Sequence, residues 1–178
     1  MGASSGSDRA IGGRILHVDA IDRKILAELQ AEGRLTVTEL AERVRLSTAP
    51  CHRRLRELER SGVITGYRAV VEPAAVGLGF EALVSVTMSH EDAATIRDFE
   101  SRLAEIPEVR HAERLFGDPD YLLRVMTRDL PSYAAVRDEK LATLPGVGRI
   151  TSTIVMKRVV DNRPLAVAAE PDPPRRRR

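Results

Sequence analysis

Residues 46–67 read LSTAPCHRRLRELERSGVITGY. Ten of these positions, Cys51–Arg60, hold four arginines, a histidine and the chain's only cysteine, just after a run of small residues. Ser47 suits a helix N-cap and Gly62 the position after the last turn, so the stretch predicts a helix of about 14 residues. At about 100° per residue, Cys51, Leu55 and Leu58 fall on one stripe. Arg53, Arg56 and Arg60 fall on the opposite side with Ala49 among them, and His52 and Arg54 lie on the flanks. One face is apolar and the other is a basic ridge, with a small residue near the helix start where a second surface can approach. A solvated surface helix is the plainer account of such a pattern, since Glu57 and Glu59 stand among the arginines.

The neighbouring residues decide between the two. VDAIDRKILAELQAEG, from Val18, predicts a helix capped by Asp19 with Ile21, Ile25, Leu26 and Leu29 on one face. TVTELAERV opens with Thr36 and Glu39 at capping-box spacing. Only Arg45, Leu46 and Ser47 then separate that helix from the basic one. Two short helices across a three-residue turn make a helix-turn-helix, whose second member enters the DNA major groove. Arginines there contact phosphates or read guanine. VITGYRAVV follows as an extended wing or linker strand.

Composition bounds the rest. The chain has 178 residues, room for one or two small domains. It carries no apolar run near the length of a membrane span and no signal segment at its start. A single cysteine cannot close an internal disulfide, which fits a reducing cytoplasm. Cys51, on the apolar stripe, reads as a small core residue. Residues 1–70 carry 12 basic and 9 acidic groups, residues 71–160 carry 11 and 14, and residues 161–178 carry 5 and 3. A basic first third and an acidic middle suggest two domains with different partners.

Past EPAAVGLG the pattern changes to strands FEALVSVTM, VRHAERLF, DYLLRVMT and GRITSTIVMKRVV. Helices EDAATIRDFESRLAEI and LPSYAAVRDEKLATL are interleaved with them. The order βαββαβ is the ferredoxin-like plan, so the fold class is α+β. Both helices cover one sheet face; the other is bare, which implies at least a homodimer. The expected divisions are 1–17 flexible N-terminus, 18–64 winged helix-turn-helix, 65–79 linker strand, 80–160 ferredoxin-like domain and 161–178 disordered basic tail.

The chain resembles the Lrp/AsnC (feast/famine) family of prokaryotic transcription regulators. The ordered motifs VDAIDRKIL (18–26), EGRLTVTELAERV (32–44), LSTAPCHRRLRELERSGVITGYRAVVEP (46–73), GDPDYLLRV (117–125) and LPGVGRITSTIV (144–155) carry the resemblance. It implies a cytoplasmic, nucleoid-associated DNA-binding regulator without a cofactor. An amino-acid effector modulates its DNA binding or assembly, and its dimers build higher oligomers, such as an octamer. The DNA-contacting set becomes Arg45, Ser47, Thr48, Ala49, His52, Arg53, Arg54, Arg56 and Arg60. The chain departs from the family at Arg45, where the turn usually holds glycine, and at Pro119, which removes an N–H from the acidic loop.

From chemistry alone Gly117, Asp118, Asp120 and Tyr121 make a tight hairpin. The resemblance adds an effector role. Asp120 would take the ammonium group, and backbone N–H groups near Gly117 with Thr151 or Thr153 would take the carboxylate. Leu130 and Ile154 would form the apolar wall. An enzyme is the rival class, yet His17, His52, His90 and His111 show no ligand spacing, and no H-E-x-x-H or C-x-x-C occurs. The GVG at 146–148 precedes a strand rather than a helix, so it is no phosphate cradle. An effector-insensitive architectural DNA-binding protein is the third class.

Overall fold

The computed structural model describes residues 18–167. The expectations for residues 1–17 and for most of the tail lie outside that range. The chain falls into two units: one takes the chain up to Ala69 and again from Asn162, the other is Val70–Asp161.

In the first unit, α1 spans Ala20–Ala31. The Asp19 carboxylate accepts from the N–H groups of Ile21 and Asp22, both at 2.8 Å, while the Asp22 carboxylate accepts from Asp19 N. α2 spans Val37–Val44 and opens on the expected Thr36–Glu39 capping box. α3 spans Thr48–Arg60. Between α2 and α3 the backbone turns at Arg45, with φ 58 and ψ 48. Leu46 N–H reaches back to Ala41 O at 2.8 Å and Arg45 N–H to Glu42 O at 3.1 Å, the two bonds of a Schellman turn. That turn demands a left-handed residue, so Arg45 adopts one at a cost of about 1 kcal/mol. The three helices bury Ile25, Leu40, Ala41, Val44, Cys51 and Leu58, with Leu29, Leu46 and Leu55 packed around them. Full burial of each large aliphatic side chain contributes about 1.5–3 kcal/mol. Gly62 ends α3 with φ 77, as its position predicted.

Residues 65–72 form no strand, and a short 3-10 turn follows at Pro73–Val76. The expected linker strand fails because none of the described strands runs beside it to pair with its N–H and C=O groups. Residues 162–167 are likewise not free of the fold: Leu165 N–H donates to Gln30 Oε1 at 2.7 Å, and Gln30 Nε2 donates to Leu165 O at 3.4 Å.

The second unit runs β1 Phe80–Met88, α4 Ala93–Leu103, β2 Val109–Arg114, β3 Tyr121–Thr127, α5 Leu130–Ala135 and β4 Val147–Ile154. α5 continues into a wider π-helical turn over Val136–Leu141. The sheet is wholly antiparallel in the order β2-β3-β1-β4, the ferredoxin-like arrangement. Strand alternation sends Ala82, Val84, Val86, Tyr121, Leu123 and Val125 toward the helices, where they bury Phe99, Tyr133 and Leu141. Phe99 and Tyr121 stack with ring centroids 4.6 Å apart. Gly146 sits at φ 73 and a Cβ there would lie 2.4 Å from Thr95 Cγ2, so this glycine serves close packing.

The other sheet face was expected to be apolar. It is mixed: Leu83 and Leu122 share it with Ser85, Thr87, Arg149, Thr151 and Thr153. At one end the Glu81 carboxylate holds both Arg124 and Arg158. The strand patterns hid this because alternate positions on β1 and β4 are polar but β-branched or small, and read as strand formers.

Candidate nucleic-acid interface and ligand loop

α3 presents the predicted two faces. Cys51 and Leu58 are buried, while Arg53, Arg56 and Arg60 stand outward with Ala49 and His52. Ser47 occupies the N-cap position but its hydroxyl makes no cap bond. The first-turn N–H groups of Thr48 and Ala49 therefore keep no intrahelical acceptor. Pro50 falls in this first turn, where a missing N–H costs little. Arg45, at the turn, is exposed.

The arginines differ in what holds them. Arg54 donates to Asp19 Oδ2 at 2.6 Å and to Asp22 Oδ1 at 2.9 Å, and so braces α3 against the start of α1. Burial alone pushes the Asp19 carboxyl up, but the Asp22 N–H, the Arg54 guanidinium and the Ile21 N–H together hold it below its usual value. Arg54 was expected among the DNA contacts; its charge is spent inside the domain. Arg60 pairs with Glu57 at 2.6 Å on the exposed side, and that bond lowers the Glu57 carboxyl. Arg56 donates to His52 Nε2 at 3.2 Å. Neither Arg53 nor Arg56 has a carboxylate partner among the described residues. The ridge therefore keeps two uncommitted guanidiniums at its centre, beside a small residue and a free helix start.

The sequence-based effector residues are not all brought together. Gly117 has φ 142 and forms the loop with Asp118 and Asp120. β3 stops pairing with β1 at Val86 and Tyr121, so Met88 N–H extends past the ladder. Asp120 Oδ2 takes it at 2.7 Å. Asp120 is thus first a hairpin anchor. Tyr121 belongs to the core, with 3% of its surface exposed and its hydroxyl donating to Glu100 at 2.8 Å. Burial and the Glu100 carboxylate push that phenol well above its ordinary value. It cannot line a ligand loop on the opposite face. Leu130 lies just past the far end of β3, and Ile154 pairs with Ala82 at that same end of the sheet. Five residues of β3 separate the level of Ile154 from Asp120, and all seven separate Leu130 from it, roughly 17 and 23 Å. Within one chain they cannot wall a pocket at the loop.

Thr151 and Thr153 do face the open side, opposite Ser85 and Leu83. Sequence reasoning missed two neighbours of the loop. Thr87 Oγ1 lies 3.4 Å from Asp118 Oδ1, and an Arg149 guanidinium nitrogen lies 3.7 Å from the same oxygen. Strand parity was the available signal: Arg149, Thr151 and Thr153 are alternate residues and share a face. Asp118, Thr87, Arg149 and Thr151 thus gather an exposed carboxylate, two hydroxyls and a guanidinium, donors and acceptor enough for a zwitterion.

Comparison with known proteins agrees with both units. Residues 18–65 match the winged helix-turn-helix DNA-binding family and residues 81–165 match the Lrp/AsnC ligand binding domain. The leucine-responsive regulatory protein of Rhizobium meliloti is 40% identical over 146 residues, 82% of this chain and 94% of that protein. The proline dehydrogenase transcriptional activator of Rhodobacter capsulatus is 40% identical over 144 residues, 81% of this chain and 94% of its own. A Neisseria meningitidis transcriptional regulator, solved as an L-Met complex, superposes with a TM-score of 0.79 at 36% identity. It covers 84% of this chain and 96% of its own.

Proposed function

We infer how this chain works from one fact: it belongs to the Lrp/AsnC family of DNA-binding transcriptional regulators, with an amino-acid ligand domain after the winged helix-turn-helix. α3 is its reading helix. Arg53 and Arg56 meet base edges or phosphates in the major groove, and Arg45, Ser47, Thr48, Ala49, His52 and Arg60 flank them. The observation that carries this reading is the pair of guanidiniums left without carboxylates on the outward face of the second helix of the motif. Binding of the protein to a genomic fragment library, followed by sequencing of the retained DNA, tests it. Enrichment of a two-fold-related motif is expected for the wild type, and its loss in Arg53→Ala/Arg56→Ala.

The effector is an α-amino acid held at the loop end of the open sheet face. Asp118 accepts its ammonium group; Arg149 and Thr151 donate to its carboxylate. Asp118 is the better ammonium partner than Asp120 because its carboxylate is exposed and only loosely held, whereas Asp120 already receives Met88 N–H. A thermal-shift screen of the twenty amino acids identifies the ligand. Asp118→Asn then removes a charge-assisted hydrogen bond of about 1.5–3 kcal/mol, lowering affinity about tenfold to a hundredfold. Equal affinities by calorimetry would return Asp118 to a turn-forming role.

Assembly completes the reading. Leu83 and Leu122 on the open face, with the exposed Phe116, Val70, Val71 and Met156, supply surface for a second copy. A homodimer that builds to an octamer would bring Leu130 or Ile154 of one copy within reach of another copy's loop. Light scattering with and without effector checks the assembly. The cytoplasm, beside the nucleoid, is where such a protein meets its DNA.

A further inference from the structure

Three arginines of α3 have partners, and the partners differ in kind. Arg60 gives its Nε–H and one terminal nitrogen to the two oxygens of Glu57, at 3.0 and 2.6 Å. Arg54 gives one terminal nitrogen to Asp19 and Asp22. In both cases the group that holds the arginine also cancels its charge. Arg56 is held by a neutral group: its Nε–H donates to His52 Nε2 at 3.2 Å. Its two terminal nitrogens make no bond among the described residues. The acids nearest to it on the helix are engaged elsewhere. Glu57 is taken by Arg60, and Glu59 accepts the Tyr67 hydroxyl at 3.0 Å.

A guanidinium only donates, so His52 Nε2 carries the lone pair and the ring holds its proton on Nδ1. Such an acceptor fixes the direction of the Arg56 side chain and leaves its positive charge whole. His52 stands one helical turn before Arg56, the spacing at which side chains of a helix meet. Both residues are exposed on the outward face. Because the bond uses Nε, the end of the fork stays open for a second planar acceptor. Guanine presents one in the major groove, the O6 and N7 pair that arginine binds with two parallel bonds.

We propose that His52 is a positioning residue for Arg56: by accepting the Nε–H it aims the open end of the guanidinium at a guanine, and so sharpens the base preference of α3 without reading a base itself. This role rests on the DNA-binding reading, and its test separates the two. Arg53 makes no side-chain bond among the described residues, so nothing aims it in the same way.

The experiment selects short duplexes with a randomised centre on the full chain and sequences the retained pool, which gives the base preference at every position. Arg56→Ala should cut the guanine preference at one position of each half-site about tenfold to a hundredfold, the worth of a bidentate contact. His52→Ala should cut it at that same position about twofold to tenfold, the cost of ordering one long side chain, and leave the other positions alone. The double variant should match Arg56→Ala, since His52 then has nothing to aim. His52→Gln, whose side-chain oxygen also accepts, should keep most of the wild-type preference. His52→Lys, which only donates, should lose as much as His52→Ala. Thermal midpoints should stay at the wild-type value, because neither side chain touches the core. Full guanine preference in His52→Ala overturns the positioning role, as does a motif that Arg56→Ala leaves intact. Losses that add in the double variant overturn it too, by showing that His52 meets DNA on its own. Equal losses in His52→Gln and His52→Ala overturn the hydrogen bond as its basis. A wild type that enriches no motif overturns the DNA-reading role of α3 and this one with it.

Discussion

The outward face of α3 and the loop at Gly117–Asp120 are the two polar surfaces proposed for recognition, and they are held in opposite ways. On α3 the scaffold contacts fall to one residue, Arg54, and the central arginines Arg53 and Arg56 stay free of carboxylates. In the loop, scaffold and recognition share the same few atoms: Asp120 closes the hairpin through Met88 N–H, and Asp118 already leans on Thr87 and Arg149. A helix separates duties by angle, because its neighbours in sequence point to different sides. A tight loop cannot, since every side chain near it also bends the chain.

That contrast can be broken experimentally. The largest effect is expected on α3: Arg53→Ala with Arg56→Ala should cost about 1–3 kcal/mol per base-reading arginine in DNA affinity. The thermal midpoint should barely move, since neither side chain touches the core. Arg54→Ala should do the reverse, lowering unfolding free energy by about 1–2 kcal/mol in a denaturant titration, with the DNA salt slope unchanged. Acid sharpens this case. The folded Asp19 carboxyl lies below the ordinary carboxylate value, so the stability it gives is present above that value and is lost as pH falls through the folded one. Wild-type stability should therefore drop below about pH 4, and the Arg54→Ala variant should drop less.

In the loop, Asp120→Asn weakens the charge-assisted bond to Met88 N–H. About 1 kcal/mol of stability should go with it, and any change in effector affinity should follow from loop loosening. Equal stability of wild type and variant would free Asp120 for the ligand after all. Smallest of all, Arg45→Gly should relieve the left-handed turn and raise stability by 1 kcal/mol at most, about the strain that the turn now stores.

The same contrast explains what was legible in the sequence. Local signals carried the first unit: the Thr36–Glu39 and Asp19 caps, Gly62, and the stripe of Cys51 and Leu58 all stand where spacing placed them. The succession of strands and helices along the second unit followed equally from alternation and turn residues. What failed was anything needing knowledge of which strand lies beside which. Tyr121 reads as a loop residue by position, yet its parity with Leu123 and Val125 turns it into the core. Thr87 and Arg149 reach Asp118 only through a register that links residues 31 or more apart. Arg54 belongs to the same class, since nothing in LSTAPCHRRLRELER names two aspartates on α1 as its partners.

Cys51 has a consequence for how the domain can be watched at work. It lies on the buried side of α3 with none of its surface exposed, and burial pushes its thiol above the ordinary value. The thiolate that alkylating reagents and peroxide attack is therefore scarce in the folded state, so the helix is silent to oxidants. Because it is the chain's single cysteine, any label that does attach reports one event, the opening of the three-helix core. The rate of iodoacetamide incorporation then becomes a clock for that opening, readable by mass in the intact protein, with DNA bound or absent.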